Sequence, residues 1–165
     1  MLIIEEAVLE ESDRLCELLT LLFAQEHEFY PDTSKQSRGL QMILNDPSIG
    51  RIFVLKKEGY IIGMVSLLFT VSTALGEKVA WLEDMVIDKP FQGQGYGKIL
   101  LEEVLKKAKD FTCKRVSLKT DADNELCFAV SSEECKNMKK GQRGALSYKR
   151  NRILDFATNS NKDKS

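Results

Sequence analysis

The chain has 165 residues, 43% of them hydrophobic, which supplies one ordinary core and leaves no room for a second full domain. Its 24 basic and 25 acidic side chains nearly cancel, so no overall field favours nucleic acid or an anionic membrane, and the expected partner is a small molecule. No apolar run approaches the roughly 18 to 20 residues that span a bilayer, and Met1-Leu2-Ile3-Ile4-Glu5-Glu6 has neither the basic start nor the apolar core of a secretory leader, so a cytoplasmic protein is expected.

In chain order, Leu2-Ile3-Ile4 with Ala7-Val8 predicts a short first strand, and Ser12 or Asp13 is placed to cap the helix that follows. Leu15, Leu18, Leu19, Leu22 and Phe23 recur at helical spacing as a core-facing stripe, and the helix is predicted to finish near His27 to Tyr30, before Pro31. Leu40, Met42, Ile43 and Leu44 predict a second short helix ending before Pro47. Strands are predicted over 51–56 and 60–71, joined by Lys57-Glu58-Gly59 as an antiparallel hairpin, with a second hairpin turning at Ala74-Leu75-Gly76. A strand over 79–88, a helix over about 95–109 carrying Ile99, Leu100, Val104 and Leu105, and a strand over 115–119 give the order β-α-α-β-β-β-α-β. Cys16, Cys113, Cys127 and Cys135 show no C-x-x-C spacing and His27 stands alone, so free thiols and no metal site are expected.

The most informative stretch joins the third-last of these elements to the next: Val86-Ile87-Asp88-Lys89-Pro90-Phe91-Gln92-Gly93-Gln94-Gly95-Tyr96-Gly97. Glycines at 93, 95 and 97 let successive backbone N–H groups point the same way without Cβ clashes, and the following helix adds the positive end of its dipole. A diphosphate is the natural guest. The spacing fits neither the G-x-G-x-x-G of dinucleotide folds nor the G-x-x-x-x-G-K-[ST] of P-loops. Gln92-x-x-Gly95-x-Gly97 after the strand Trp81-Leu82-Glu83-Asp84-Met85-Val86-Ile87 resembles the acetyl-CoA signature Q/R-x-x-G-x-G/A of the GNAT superfamily of N-acetyltransferases.

The resemblance covers roughly residues 1 to 124 and implies an α/β fold, a mixed, mainly antiparallel sheet flanked by helices. It implies direct transfer of an acetyl group from acetyl-CoA to an amine. Backbone groups of the Met85-Val86-Ile87 stretch, where the strand splays from its neighbour, would hold the pantetheine arm. Gln92, Gly93, Gln94, Gly95, Tyr96, Gly97 and Lys98 would grip the pyrophosphate. Gln92 stands where the family more often has arginine, and Lys98 is placed to restore part of the missing charge. Asn124 falls where many members set an asparagine beside the pantetheine.

An amine arrives mostly as an ammonium ion near neutral pH, so a base is needed, and Glu83 is the first candidate. A regular strand puts it on the face of Met85 and turns Asp84 the other way; a bulge changes that allocation and keeps Asp84 in reserve. Glu26, Glu28 and Tyr30, with Asp32, cluster where the first helix breaks, a region that borders the acceptor cleft in the family and here favours a cationic acceptor. His27 is a weaker candidate base.

The chain departs from the family after Asn124, where a helix ending in an aromatic pair is expected and Glu125-Leu126-Cys127-Phe128-Ala129-Val130-Ser131-Ser132-Glu133-Glu134 stands instead. Ser131 occupies the place of the tyrosine that protonates the departing thiolate in many relatives. The expected division is an acetyltransferase domain over 1–135 and an atypical tail over 136–165, with no convincing strand pair; a shifted reading frame near Leu126 and a natural variant ending both fit. Lost final strands would expose a sheet edge that a second copy, in a homodimer, would cover. Three functional readings follow: an N-acetyltransferase acting on a small primary amine, an acyl-CoA-binding sensor with little transfer activity, and a protein N-acetyltransferase.

Overall fold

The apolar stripe of Leu15, Leu18, Leu19 and Leu22 folds as α1 (Ser12–Phe23) and is buried against one face of a sheet. The computed structural model describes residues 1–25 and 30–118 with side chains and, beyond them, the backbone of strand residues 119, 125–129, 144–149 and 152–158. Helix α1 ends at Phe23 and not near residues 27–30. The stripe runs out there, and the Gln25 N–H closes onto the Leu22 carbonyl at 3.1 Å in a tighter turn. Neither Ser12 nor Asp13 caps the helix. A 3₁₀ turn at Leu9–Glu11 leads directly into it, placing Ser12 in its first turn.

Helix α2 (Thr33–Asn45) begins earlier than its apolar cluster at 40–44 suggests, because Asp32 caps it, accepting the backbone N–H groups of Ser34 and Lys35 at 3.1 Å each. Buried Gln36 fastens α2 to α1, its Nε2 donating to the Cys16 carbonyl and to Thr20 Oγ1, both at 3.0 Å.

Six strands form one sheet in sequence order: β1 (Leu2–Glu6), β2 (Gly50–Lys57), β3 (Tyr60–Ser72), β4 (Glu77–Ile87), β5 (Arg115–Lys119) and β6 (Glu125–Ala129). All neighbours are antiparallel except β4 and β5, which are parallel because α3 (Tyr96–Asp110) crosses between them. Leu100, Leu101, Val104 and Ala108 of α3 cover the face carrying Phe53, Leu55, Val65 and Leu82. Helices α1 and α2 cover the other face through Ile52, Val54, Met64 and Val86. Among the described residues no helix is long and apolar enough to cross a membrane.

Two features after β5 differ from expectation. Residues 125–129, where the resemblance implies a helix, form β6 along β5. The tail, read as lacking a strand pair, contains β7 (Gly144–Lys149) paired antiparallel with β8 (Arg152–Thr158) in a separate two-stranded sheet. Short apolar–polar alternations in Leu146-Ser147-Tyr148 and Leu154-Asp155-Phe156 are the signal, masked by the surrounding basic residues.

Gly63 pairs with Ile87, and a Cβ there would lie 2.5 Å from Ile87 Cδ1 and 2.9 Å from the Val86 carbonyl oxygen. Gly63→Ala is expected to cost about 1 to 3 kcal/mol, read as a lower urea midpoint, because β4 must move. Asp32 is held near pKa 2, below its ordinary 3.8, by the Ser34 hydroxyl first and then the Lys35 N–H. Its cap therefore contributes fully above about pH 4 and is lost as pH falls through about 2. Thermal melts from neutral to acid pH should show that loss in the native chain and a smaller one in Asp32→Asn.

Candidate active site

Strands β4 and β5 pair only at Ala80–Val116 and Trp81–Ser117. Leu82 and Leu118 would come next in a continued ladder, but they do not pair, so the ladder ends at Trp81–Ser117 and the part of β4 beyond it is the place of the expected cosubstrate slot. On its other edge β4 carries a bulge: Met64 faces Val86 and Ser66 faces Glu83, so Val65 alone opposes Asp84 and Met85. Asp84 accommodates the extra residue at φ 52°, in the left-handed region that aspartate tolerates better than most side chains.

The bulge reverses part of the period-two reading. Leu82, Met85 and Ile87 pack with the α3-side core, whereas Val86 packs with the α1–α2 core. Glu83 is exposed and lies opposite Ser66, on the α1–α2 face, so it does not share a face with Met85. Ser66 is fully buried, and its hydroxyl has no hydrogen-bond partner among the described residues. Asp84 is half-buried within the bulge itself.

Beyond the slot the chain turns through a 3₁₀ segment, Lys89–Phe91, started by Asp88, whose carboxylate accepts the Lys89 N–H at 2.8 Å. Arg14 of α1 pins this start. Its Nη2 lies 2.5 Å from Asp88 Oδ2, and its Nε and Nη2 donate to the Ile61 carbonyl at 3.2 and 3.1 Å. Burial works against the guanidinium charge, but the bonds to Glu17 and Asp88 outweigh it and raise the Arg14 pKa. Gly93 and Gly95 follow at φ 74° and 85°, with no heavy atom within 4 Å of where a Cβ would stand. Gly95 is the residue before α3, so the N–H groups of the first helical turn face outward without intrahelical acceptors. These outward N–H groups and open glycine positions are the backbone features expected of an anion-binding turn.

Its side chains are arranged differently from expectation. Gln92, assigned to the pyrophosphate, donates Nε2 to the Ile87 carbonyl at 3.0 Å, a carbonyl assigned to pantetheine. Gln94 Nε2 returns to the Pro90 carbonyl at 3.0 Å. Both glutamines hold the turn's shape from within. Tyr96 turns its ring edge-on to Phe91, at 6.3 Å between centroids, and its hydroxyl accepts from Lys57 Nζ at 2.7 Å. Lys98 is exposed, 3.7 Å from Glu102 on the next turn, and Gly97 is buried in the first turn of α3.

Tyr30 is 91% exposed, and Asp32 is committed to the α2 cap. Glu26, His27, Glu28, Asn124 and Ser131 lie outside the described residues. A separate cleft of about 770 Å³ sits behind the turn, between α1 and the β2–β3 hairpin, bordered by Arg14, Lys57, Tyr60, Asp88 and Phe91. None of its lining comes from the β4–β5 slot. Sequence reasoning missed Arg14 and Lys57, which matter through partners distant in the chain, and the buried Ser66 opposite Glu83.

Residues 13–127 match the Acetyltransferase (GNAT) family, and the chain belongs to that family of acetyl-CoA-dependent N-acetyltransferases. Among solved structures, a possible acetyltransferase from Clostridium difficile 630 superposes with a TM-score of 0.69 at 16% identity, covering 90% of this chain and 97% of that one. A predicted acetyltransferase from Clostridium acetobutylicum, solved with acetyl-CoA, gives 0.64 at 13% identity over 90% and 96%. Glucosamine-6-phosphate N-acetyltransferase from Arabidopsis thaliana gives 0.58 at 20% identity over 90% and 97%. No curated protein sequence matches the chain. These likenesses establish the shared fold.

Removing the Gln92 strap should loosen the turn. Gln92→Ala is expected to lower stability by about 1 kcal/mol, and Gln92→Glu by more, because its carboxylate would face the Ile87 carbonyl with no donor between them. Urea unfolding of both variants measures the order.

Proposed function

We propose that the chain transfers the acetyl group of acetyl-CoA to the primary amine of a small cationic molecule, by direct attack in a ternary complex. The observation that supports this is that the β4–β5 ladder stops at Trp81–Ser117 and β4 then leads into the glycine turn before α3, where a thioester arm and its diphosphate would lie. Direct attack is favoured over an acetyl-enzyme. Among the residues described with their side chains the thiols are Cys16 and Cys113, and burial pushes both above their ordinary pKa, which disfavours either as a nucleophile.

In this reading, Met85 and Val86 flank the pantetheine arm, and the Gly93, Gly95, Tyr96, Gly97 and Lys98 backbone receives the diphosphate. The amine enters from the α1–α2 side. Glu83, exposed on that face, takes the ammonium proton, with Asp84 second to it. The freed nitrogen lone pair attacks the thioester carbonyl carbon, the C–S bond breaks, coenzyme A leaves as thiolate, and that thiolate takes the second proton that the nitrogen loses, giving the amide and free coenzyme A. Acidic residues near the break after α1, Glu26 and Glu28 with Tyr30, favour a cationic acceptor.

The test is thiol release from acetyl-CoA by the full chain across diamines, polyamines, amino acids, amino sugars and peptides. Turnover confined to small cationic amines is the expected result; coenzyme A binding without transfer to any of them would replace this reading with a sensor. With an acceptor in hand, Glu83→Gln should lower kcat/KM by roughly 10² to 10⁴. That loss should shrink as pH rises past the acceptor's own pKa and free amine accumulates. An unchanged pH–rate profile removes Glu83 from the role.

A further inference from the structure

We infer that Lys57, at the end of β2, supplies the positive charge of the diphosphate site that the neutral Gln92 does not. The inference rests on the acetyl-CoA reading above. Gln92 has its amide nitrogen committed to the Ile87 carbonyl. Lys98 is exposed and directed toward Glu102, and Lys89 is exposed in the 3₁₀ turn, so water screens both.

Lys57 is placed differently. It is half-buried, its Nζ donates to the Tyr96 hydroxyl at 2.7 Å, and it lies 5.2 Å from the Tyr96 ring centroid and 5.6 Å from that of Phe91. These two aromatic residues bracket the glycine turn, Phe91 immediately before Gln92 and Tyr96 as the first residue of α3. The ammonium therefore stands at the back of the anion site. Among the described residues no carboxylate forms an ion pair with it, and the adjacent Glu58 is taken by the Met1 ammonium. A cation beside a helix N-terminus is opposed by the helix dipole, and two ring faces, a phenol oxygen and the longer-range charge of Glu58 offset part of that. A diphosphate in the turn completes the balance.

The charge acts through the first turn of α3, which makes Lys57 a positioning residue that also contributes field. Full-length protein is titrated calorimetrically with CoA at low and high salt, and with pantetheine, which keeps the thiol arm and lacks every phosphate. Lys57→Met and Lys57→Gln should each weaken CoA about tenfold and flatten its salt dependence. Both should leave pantetheine affinity unchanged, and Lys57→Arg should restore most of the loss. Equal CoA affinity and salt dependence in folded Lys57→Met and native protein would overturn the inference. So would a parallel loss for pantetheine, or failure of arginine to rescue, since either marks a packing role alone. If native protein binds no CoA, the acetyl-CoA reading itself fails, which is a different outcome from a native chain that binds and a variant that binds equally well.

Discussion

Asp84, held at φ 52°, adds one residue to β4 relative to β3, and the geometry of the site depends on that addition. A non-glycine residue in the left-handed region costs on the order of 1 kcal/mol or more, so the surroundings must hold it there. They do so from both sides: Val86 is locked into the α1–α2 core and Ile87 into the α3 core, with Gly63 tight against both. Because the strand is fixed immediately after the bulge, the strain cannot relax by sliding the register. The bulge lies just beyond the last β4–β5 pair, Trp81–Ser117, so the irregular part of β4 is the part that β5 does not pair with.

The glycine turn that follows β4 keeps its shape through the neutral side chains that the signature contains. Gln92 and Gln94 both donate inward to carbonyls of the same turn. An arginine at position 92 would bring charge but could also be drawn outward to an anion; the glutamine strap trades that charge for a fixed turn. The Arg14–Asp88 pair ties the start of the turn to α1. In the proposed reaction this one ion pair would join the element beside the amine to the element beside the diphosphate, so that movement of α1 would be felt at Asp88.

Elements with a strong local period were legible from the amino-acid sequence: the leucine stripe of α1, the hairpin at Lys57-Glu58-Gly59 and the glycine turn all stand where their patterns put them. What was not legible depends on distance. Arg14 and Asp88 are 74 residues apart, and Lys57 reaches Tyr96 across 39, so no local pattern announces either contact. The bulge was foreseen as an alternative only, because Glu83-Asp84-Met85 reads as regular strand until Val65 is seen to oppose two residues. The start of α2 was missed for another reason. Its first two turns carry Ser34, Lys35, Gln36 and Ser37, polar residues whose helix is fixed by the Asp32 cap and by Gln36 reaching back to α1.

The same bulge suits the proposed chemistry. A nitrogen attacks a thioester carbonyl from outside the plane of the group, so a base that first strips its proton must stand away from the face that grips the pantetheine arm. In a regular β4, Glu83 and Met85 would share a face, and base and cofactor would compete for the same side of the strand. One inserted residue separates them: Met85 turns with the α3 core, and Glu83 stays with Ser66 on the side that α1 covers. In the proposed reaction the amine then has its own approach, bounded by a carboxylate on the strand, while the thioester enters along the opening between β4 and β5. In that proposal a single backbone irregularity sets cosubstrate and proton acceptor on separate sides of β4, which would give the left-handed Asp84 a functional reason.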